Sequence, residues 1–512
     1  MFVKTYSSTI LGIDAVTITV EANISAGLGM YIVGLPDNAV KESQERIRSA
    51  FENSGYRMTG KRLVVNLAPA DLRKEGSGYD LPIAVSILAA SGQMTSEVLD
   101  NYIIMGELSL DGTLKPIKGA LPIAIKAREE GFRGIVLPMD NVREAAVVSG
   151  VEVIGVRTLR QTVEFLSGEL KIEAAVSTGF EELLAVRGRY EEDFSDVRGQ
   201  AHVKRALEIA AAGGHNVIMI GPPGSGKTML ARRMPTIMPP LSVEEALETT
   251  KIHSVAGKLG AETGLLTRRP FRAPHHLTSQ VALVGGGSSP QPGEVSLAHN
   301  GILFLDELPE FGRSILEVLR QPLEDKKITV SRAKYSVEYP ANFILIASMN
   351  PCPCGYYNHP GKECSCTPGM VKKYMNRISG PLLDRIDMHI EVTPVEFSQM
   401  NAGRAEESSE IVRERVQQAR EIQHRRFSDV EGVYTNAMMN SKMIREYCRL
   451  SPECSALLER AMTRLDLSAR AYDRIVKVAR TIADMNGTMD ILPAHLAEAI
   501  NYRSLDRESW GR

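Results

Sequence analysis

An α/β fold is predicted for the greater part of this 512-residue chain, and three observations predict it. Strand-like and helix-like stretches alternate from the start to about residue 170. The apolar run NVIMI leads into GPPGSGKT (221–228) and then MLARRM, the order of strand, glycine-rich turn and helix. A second apolar run, in GILFLDEL (301–308), ends in two adjacent carboxylates. A nucleotide-binding α/β core therefore follows an N-terminal α/β domain. The helix-periodic stretches after residue 396 predict a helical region behind it.

Length argues for about two to four domains. Apolar content of 43% and charged content of 24% are ordinary globular values, so no disordered or fibrous class fits. The formal net charge of −2 excludes binding to nucleic acid by bulk basicity, so any such surface must be local. No run approaches the roughly 18 apolar residues of a membrane helix. The opening MFVKTYSSTILGIDAV is interrupted by Asp14 and has no small-residue cleavage site, so no signal peptide is read. Six cysteines do not make a disulfide scaffold and are expected reduced, in the cytoplasm, with no membrane partner.

Taken in order, VTITVEANIS and GMYIVGLP read as strands and AVKESQERIRSAFENSG as an amphipathic helix ending at Gly55. RLVVNLAPA is a short buried strand. DLPIAVSILAASG (helix), YIIMGELSLDG (strand into turn), ALPIAIKAREEG (helix), GIVLP and VEVIGV (strands) complete a domain over 1–170. RKEGSGYDLPIA (73–84) and GTLKPIKGALPIAIKA (112–127) give it a resemblance to the Lon-protease-like, ribosomal-protein-S5-like fold. That resemblance implies a serine nucleophile in the first segment and a lysine partner in the second. The matching positions hold Gly78 and Leu121, which can do neither job. Ser77 and Lys118 lie nearby, and a one-residue slip would revive Ser77. The reading taken is a catalytically degenerate scaffold or DNA-facing domain. The acidic stretch 171–195 reads as a linker with a short helix.

The core, 196–395, carries the chemistry. Gly221, Gly224 and Gly226 let successive backbone N–H groups face one anion at a helix N-terminus. With Pro222, Pro223, Ser225, Lys227, Thr228 and Met229 they form the expected nucleotide-binding loop. Lys227 reaches the β/γ-phosphates and the Thr228 hydroxyl ligates Mg²⁺. Asp306 would hold the same Mg²⁺ through its water shell, and Glu307 would polarise the attacking water. DVRGQAHVKRALEIAAAGGHN (196–216) is a capped helix ending at Gly213 and Gly214. FILIASMNP (343–351) is a buried strand ending in Asn350, which is also an ordinary turn residue before proline. In SGPLLDRIDMHIEV (379–392), Arg385 sits between a helix and a strand, with Asp384 and Asp387 as ordinary surface partners. Arg470 starts the long amphipathic helix of LSARAYDRIVKVARTIADMNG, and Arg474 lies one turn on.

Two insertions stand out. One is RRPFRAPHHLTSQVALVGGGSSPQPGEVSLAHNG (268–301) and the other EDKKITVSRAKYSVEYPANF (324–343), a β-hairpin with Arg332, Ala333 and Lys334 near its tip. Basic loops of this kind track a phosphate backbone or are solvated turns. Arg332, Lys334, Arg272, His275 and His276 are the candidate DNA contacts, and the histidine pair is also a candidate nucleotide contact. After Asn350 comes C-x-C-x9-C-x-C: Cys352, Cys354, Cys364 and Cys366. Four thiolates close a tetrahedral zinc site, although C-x-C is tighter than the usual spacer. His359 is an alternative ligand, and a reduced cysteine-rich loop is the other reading. Cys448 and Cys454 read as packing residues. The lid, 396–512, opens with a helix capped by Ser408 and ends with PAHLAEAINYR.

From GLPDNAVKES (34–43) through FRAPHH, NPCPCG and LLDRID to the Arg470 helix, the chain resembles the ComM/YifB family of magnesium-chelatase-like AAA+ ATPases. The resemblance implies a P-loop AAA+ core of the helix-2-insert branch, an N-terminal Lon-like domain and a C-terminal helical lid. It makes Asn350 sensor 1, Arg385 the arginine finger on a neighbour's γ-phosphate, and Arg470 (or Arg474) sensor 2. It implies ATP and Mg²⁺ as cofactors, with a structural Zn²⁺ at the cysteines. It also implies a homo-hexamer that drives branch migration of single-stranded or branched DNA beside recombination proteins. ATP-driven chelatase or chaperone-type remodelling is the alternative, and Lon-type proteolysis a further one.

Overall fold

The computed structural model describes residues 1–177, 190–260, 262–287, 290–332, 335–357, 359, 361–394, 406–465 and 467–503. The N-terminal part is a seven-stranded mixed sheet in the order Met30–Val33, Arg62–Ala68, Asp14–Ser25, Phe2–Leu11, Tyr102–Ile104, Gly134–Pro138, Glu152–Val156. Its first two strands form an antiparallel hairpin in register from Phe2↔Asn23 to Leu11↔Asp14. Beyond Phe2–Leu11 every pairing is parallel, as crossover helices require. Ile18, Val20 and Ala22 alternate inward on the second strand. Asn38–Ser54 is capped by Asp37, whose carboxylate accepts from Val40 N–H, and stops at left-handed Gly55.

Phe2–Leu11 is a strand the sequence reading passed over. Its inward positions Val3, Thr5 and Ser7 are mostly small polar residues, so the alternation carries no hydrophobic signal. Leu159–Leu166, capped by Thr158, is likewise an addition.

The core sheet is five-stranded and wholly parallel, in the order Phe271–Arg272, Ile302–Leu305, Ile344–Met349, Val217–Ile220, Met388–Glu391. Each of the last four is buried at nearly every position, which is why they read as continuous apolar runs. The second insertion is a hairpin, Lys327–Arg332 against Tyr335–Pro340. Its tip residues 333 and 334 lie outside the described residues. The first insertion contributes the edge strand Phe271–Arg272 and the short helices Gln280–Val284 and Glu294–Leu297.

The helices Ser409–Arg426, Ser441–Tyr447, Pro452–Leu465, Ala469–Met485 and Pro493–Asn501 make the C-terminal region. Ile475, Ile482 and Val416 share one apolar cluster with Val203, Leu207 and Met219 of the core. Of the stretch read as a linker, 178–189 lie outside the described residues, as do 395–405, which include the first residues of the region read as the lid. The end of that linker is packed: Phe194 is buried, and the Asp193 carboxylate accepts from Ser409 N–H.

The N-terminal domain is docked on the core. Helix Ala120–Glu129 packs against Val243–Val255, Ser254 Oγ donates to the buried Glu144 carboxylate, and Lys251 pairs with Asp14 at 2.8 Å. The Gly12 turn abuts Val337 of the hairpin. Between the two lies a cleft of about 570 Å³ bordered by Ser77, Glu107, Lys118, Pro290 and Tyr339.

Candidate nucleotide and metal sites

The strand Val217–Ile220 lies inside its sheet, between Ile344–Met349 and Met388–Glu391, and its C-terminal end opens into the glycine-rich loop. Gly224 (φ 77°) and Gly226 (φ 85°) take the left-handed conformation that closes the turn. Gly221 has no room for a side chain, since a Cβ there would lie 2.2 Å from the Val392 carbonyl oxygen. The helix Lys227–Ile237 follows at once. Lys227 Nζ donates to the carbonyls of Gly221 (2.7 Å) and Pro222 (2.9 Å) and to Asn350 Oδ1 (3.3 Å). Burial pushes its ammonium down, and the charges of Asp306 and Glu307 oppose that. Thr228 Oγ1 donates to Asp306 Oδ2 at 2.8 Å. The predicted phosphate lysine, both magnesium residues and Asn350 are thus brought together by three adjacent parallel strands.

Glu307 adopts φ 53°, and its side chain is 57% exposed. His276 Nδ1 lies 3.8 Å from its carboxylate, stacked on His275 with ring centroids 4.1 Å apart and edge-on to Phe311. A cleft of about 650 Å³ runs from His276 and Glu307 past Asn350 and Pro353 to Tyr374 and Arg377. The histidine pair expected to contact nucleotide or DNA therefore stands beside Glu307.

Sequence reasoning missed two neighbours of the site, Ser348 and Arg377, and read a third, Gln200, only as the start of a capped helix. Ser348 Oγ donates to Asp306 Oδ1, fixing that carboxylate from the neighbouring strand. Its signal is a lone serine in an apolar strand, two residues before Asn350 and so on the same face. Gln200 Nε2 donates to the carbonyls of Ser225 (2.8 Å) and Thr393 (3.1 Å), tying the preceding helix to the loop. Arg377, paired with Glu310 at 2.8 Å, carries no pattern in sequence that marks it.

The arginines lie elsewhere. Val217 pairs with Met388 and Ile220 with Glu391, so Arg385 precedes its strand at the sheet edge opposite the loop. A four-residue strand separates those edges by about 13 Å. Arg385 is buried, donating to Pro381 O at 2.6 Å and pairing with Glu324 at 2.6 Å, while its Nε has no partner. Arg470 is exposed at the same edge, 3.5 Å from Asp384. Arg474 is held by the buried Asp387 at 2.9 Å. Burial pushes the Asp387 carboxyl up, but Arg474, His215 and the Asn216 N–H outweigh it and hold it well below the usual range.

Among the candidate DNA contacts, Arg272 is held by Glu294 through bonds of 2.6 and 2.8 Å. Lys334 and the Arg332 side chain lie outside the described residues. The four cysteines converge, with all four Sγ atoms within 4.8 Å of one another. His359 stands apart, accepting from Gly361 N–H and set edge-on to Tyr356. Cys448 and Cys454 are buried, and burial pushes the Cys448 thiol up to about 12. In the Lon-like domain Leu121 is fully buried and Ser77 Oγ donates to Glu107. Lys118 instead lies against Gly257 of the core.

Three family descriptions match successive parts of this chain. The family described as "Magnesium chelatase, subunit ChlI" matches residues 193–400. "Subunit ChlI of Mg-chelatase" matches 20–141, and "Magnesium chelatase, subunit ChlI C-terminal" matches 406–503. The chain is similar to the competence protein ComM of Haemophilus influenzae, 45% identical over 98% of this chain and 97% of that one. It is similar to the uncharacterized protein YifB of Escherichia coli, 46% identical over 97% and 96% of the two chains. Lon protease 2 of Bacillus subtilis is 34% identical over 29% of this chain and 28% of its own.

Proposed function

This chain belongs to the ComM/YifB family of magnesium-chelatase-like AAA+ ATPases, and on that premise we propose that it is a hexameric motor that moves DNA. ATP hydrolysis is the family's chemistry, and Lys227, Thr228, Asp306, Glu307 and Asn350 have the arrangement it needs. ATP and Mg²⁺ are its cofactors on this reading, with Zn²⁺ as a structural ion at the four cysteines.

The observation that carries the assembly is the separation of Arg385 and Arg470 from the chain's own loop by the height of the sheet. An arginine finger supplies planar, permanently charged donors to developing phosphoryl charge. From the opposite edge these two arginines serve the nucleotide of an adjoining copy, and Arg385 exchanges Glu324 for that phosphate. Lys227 orients the phosphates, Thr228 and Asp306 hold the magnesium, and Glu307 takes the proton of the attacking water.

DNA as the object moved is supported by the basic hairpin tip at 332–334 and by the relative's name as a competence protein. The degenerate positions Gly78 and Leu121 speak against proteolysis. The deciding experiment is ATP-dependent strand displacement on forked DNA. Displacement, with ATPase stimulated by single strands and lost on changing Arg332 and Lys334, supports the reading. An ATPase indifferent to DNA but stimulated by a protein client would replace it with remodelling.

A further inference from the structure

We propose that Cys352, Cys354, Cys364 and Cys366 bind a Zn²⁺ ion that sets the walls of the hydrolytic cleft, so that turnover depends on the metal. The inference rests on the ATPase reading above and adds to it a metal requirement for the chemical step.

The donor set fits the ion. Cys352 and Cys354 sulfurs are 3.3 Å apart, Cys352 and Cys364 3.7 Å, and Cys354 and Cys364 3.6 Å. Tetrahedral Zn–S bonds of about 2.3 Å place sulfurs roughly 3.8 Å apart. The same distances are far longer than a disulfide bond of about 2.05 Å. Backbone N–H groups already point at the sulfurs, Tyr357 to Cys352 at 3.3 Å and Cys366 to Cys364 at 3.4 Å. Such outer bonds stabilise thiolate and orient ligands.

The position of the cluster gives it a function. Cys352 and Cys354 begin two residues after Asn350, which bonds Lys227. Gly355, in left-handed conformation, abuts the nucleotide loop so closely that a Cβ there would lie 2.6 Å from Pro223 Cδ. Cys364 and Cys366 lie just before the helix Pro368–Met375, capped by Thr367. That helix brings Lys373 and Tyr374 to the same cleft that Glu307, Asn350 and Pro353 line. One ion joining the two cysteine pairs therefore ties together the two segments that line the cleft after Asn350. Without it, ordering the connecting loop is opposed by the chain entropy of that loop.

The test uses the purified full-length chain and measures metal, nucleotide binding and turnover separately. Stoichiometric zinc is expected in the native protein and in Lys227→Ala, whose metal content does not depend on hydrolysis. Zinc withdrawal is expected to lower kcat about tenfold or more, with the Kd of a non-hydrolysable ATP analogue changing less than about threefold. Added Zn²⁺ restores turnover in the native chain and not in Cys354→Ala. Iron or no metal at the site, full turnover without zinc, or equal loss of binding and turnover would each overturn the inference. Zinc present in a chain with no ATPase would instead sink the ATPase reading, and the coupling with it, while the metal site stood.

Discussion

Replacing Lys227 with alanine removes the charge that Gly221, Pro222 and Asn350 hold in place, and it is expected to abolish ATP binding in an equilibrium titration. Glu307→Gln is expected to bind ATP normally and to slow hydrolysis by about a hundredfold or more, the scale of a lost general base. Ser348→Ala frees Asp306 from one of its bonds and should raise the Mg²⁺ concentration needed for half-maximal ATPase, an effect a simple packing role would not produce. Lys227, Thr228, Asp306 and Glu307 were legible in sequence because phosphate and magnesium chemistry demands fixed types at fixed spacing. Ser348 and Arg377 were not, because their contacts come from neighbouring strands and helices far away in the chain. His276 was legible as a residue with chemistry but not in its place beside Glu307, which only the chain's return through the first insertion provides.

Elements were read well where burial is one-sided or complete. The core strands show as unbroken apolar runs, and the cap Ser408 marks its helix by a short polar side chain at the N-terminus, as Asp37 and Ser468 do for theirs in the structure. Phe2–Leu11 escaped because Thr5, Ser7 and Ser8 are buried without being apolar. The helix Ala469–Met485 docks through the apolar cluster it shares with the core and through the ion pair of Arg474 with the buried Asp387. Breaking it with Asp387→Asn leaves the arginine facing a neutral amide and is expected to cost about 3–5 kcal/mol, read as a lower urea midpoint. The pH dependence has a definite sign. The folded carboxyl titrates below its unfolded value, so its stabilisation is complete above about pH 4 and is lost as the pH falls through the folded pKa. Wild type should therefore lose stability on acidification in that window, and Asp387→Asn should lose less.

The whole molecule couples three parts through contacts remote in sequence: Ser254 with Glu144, Lys251 with Asp14, and the shared cluster of lid and core. No helix among the described residues is long and apolar enough to cross a membrane. On the proposed assembly, Arg385→Ala and Lys227→Ala chains should each be inactive alone. Mixed, they should regain part of the wild-type ATPase, because an intact loop of one then faces an intact arginine of the other. An unrecovered mixture that still assembles would put the finger on its own nucleotide. The height of one β-sheet, standing between Arg385 and the loop it does not serve, has a further effect. On the proposed assembly, turnover per chain would be a function of how many chains are present, vanishing on dilution and rising steeply near the concentration at which neighbours meet. The protein would then register its own abundance, and a cell would adjust this ATPase by making more or less of it.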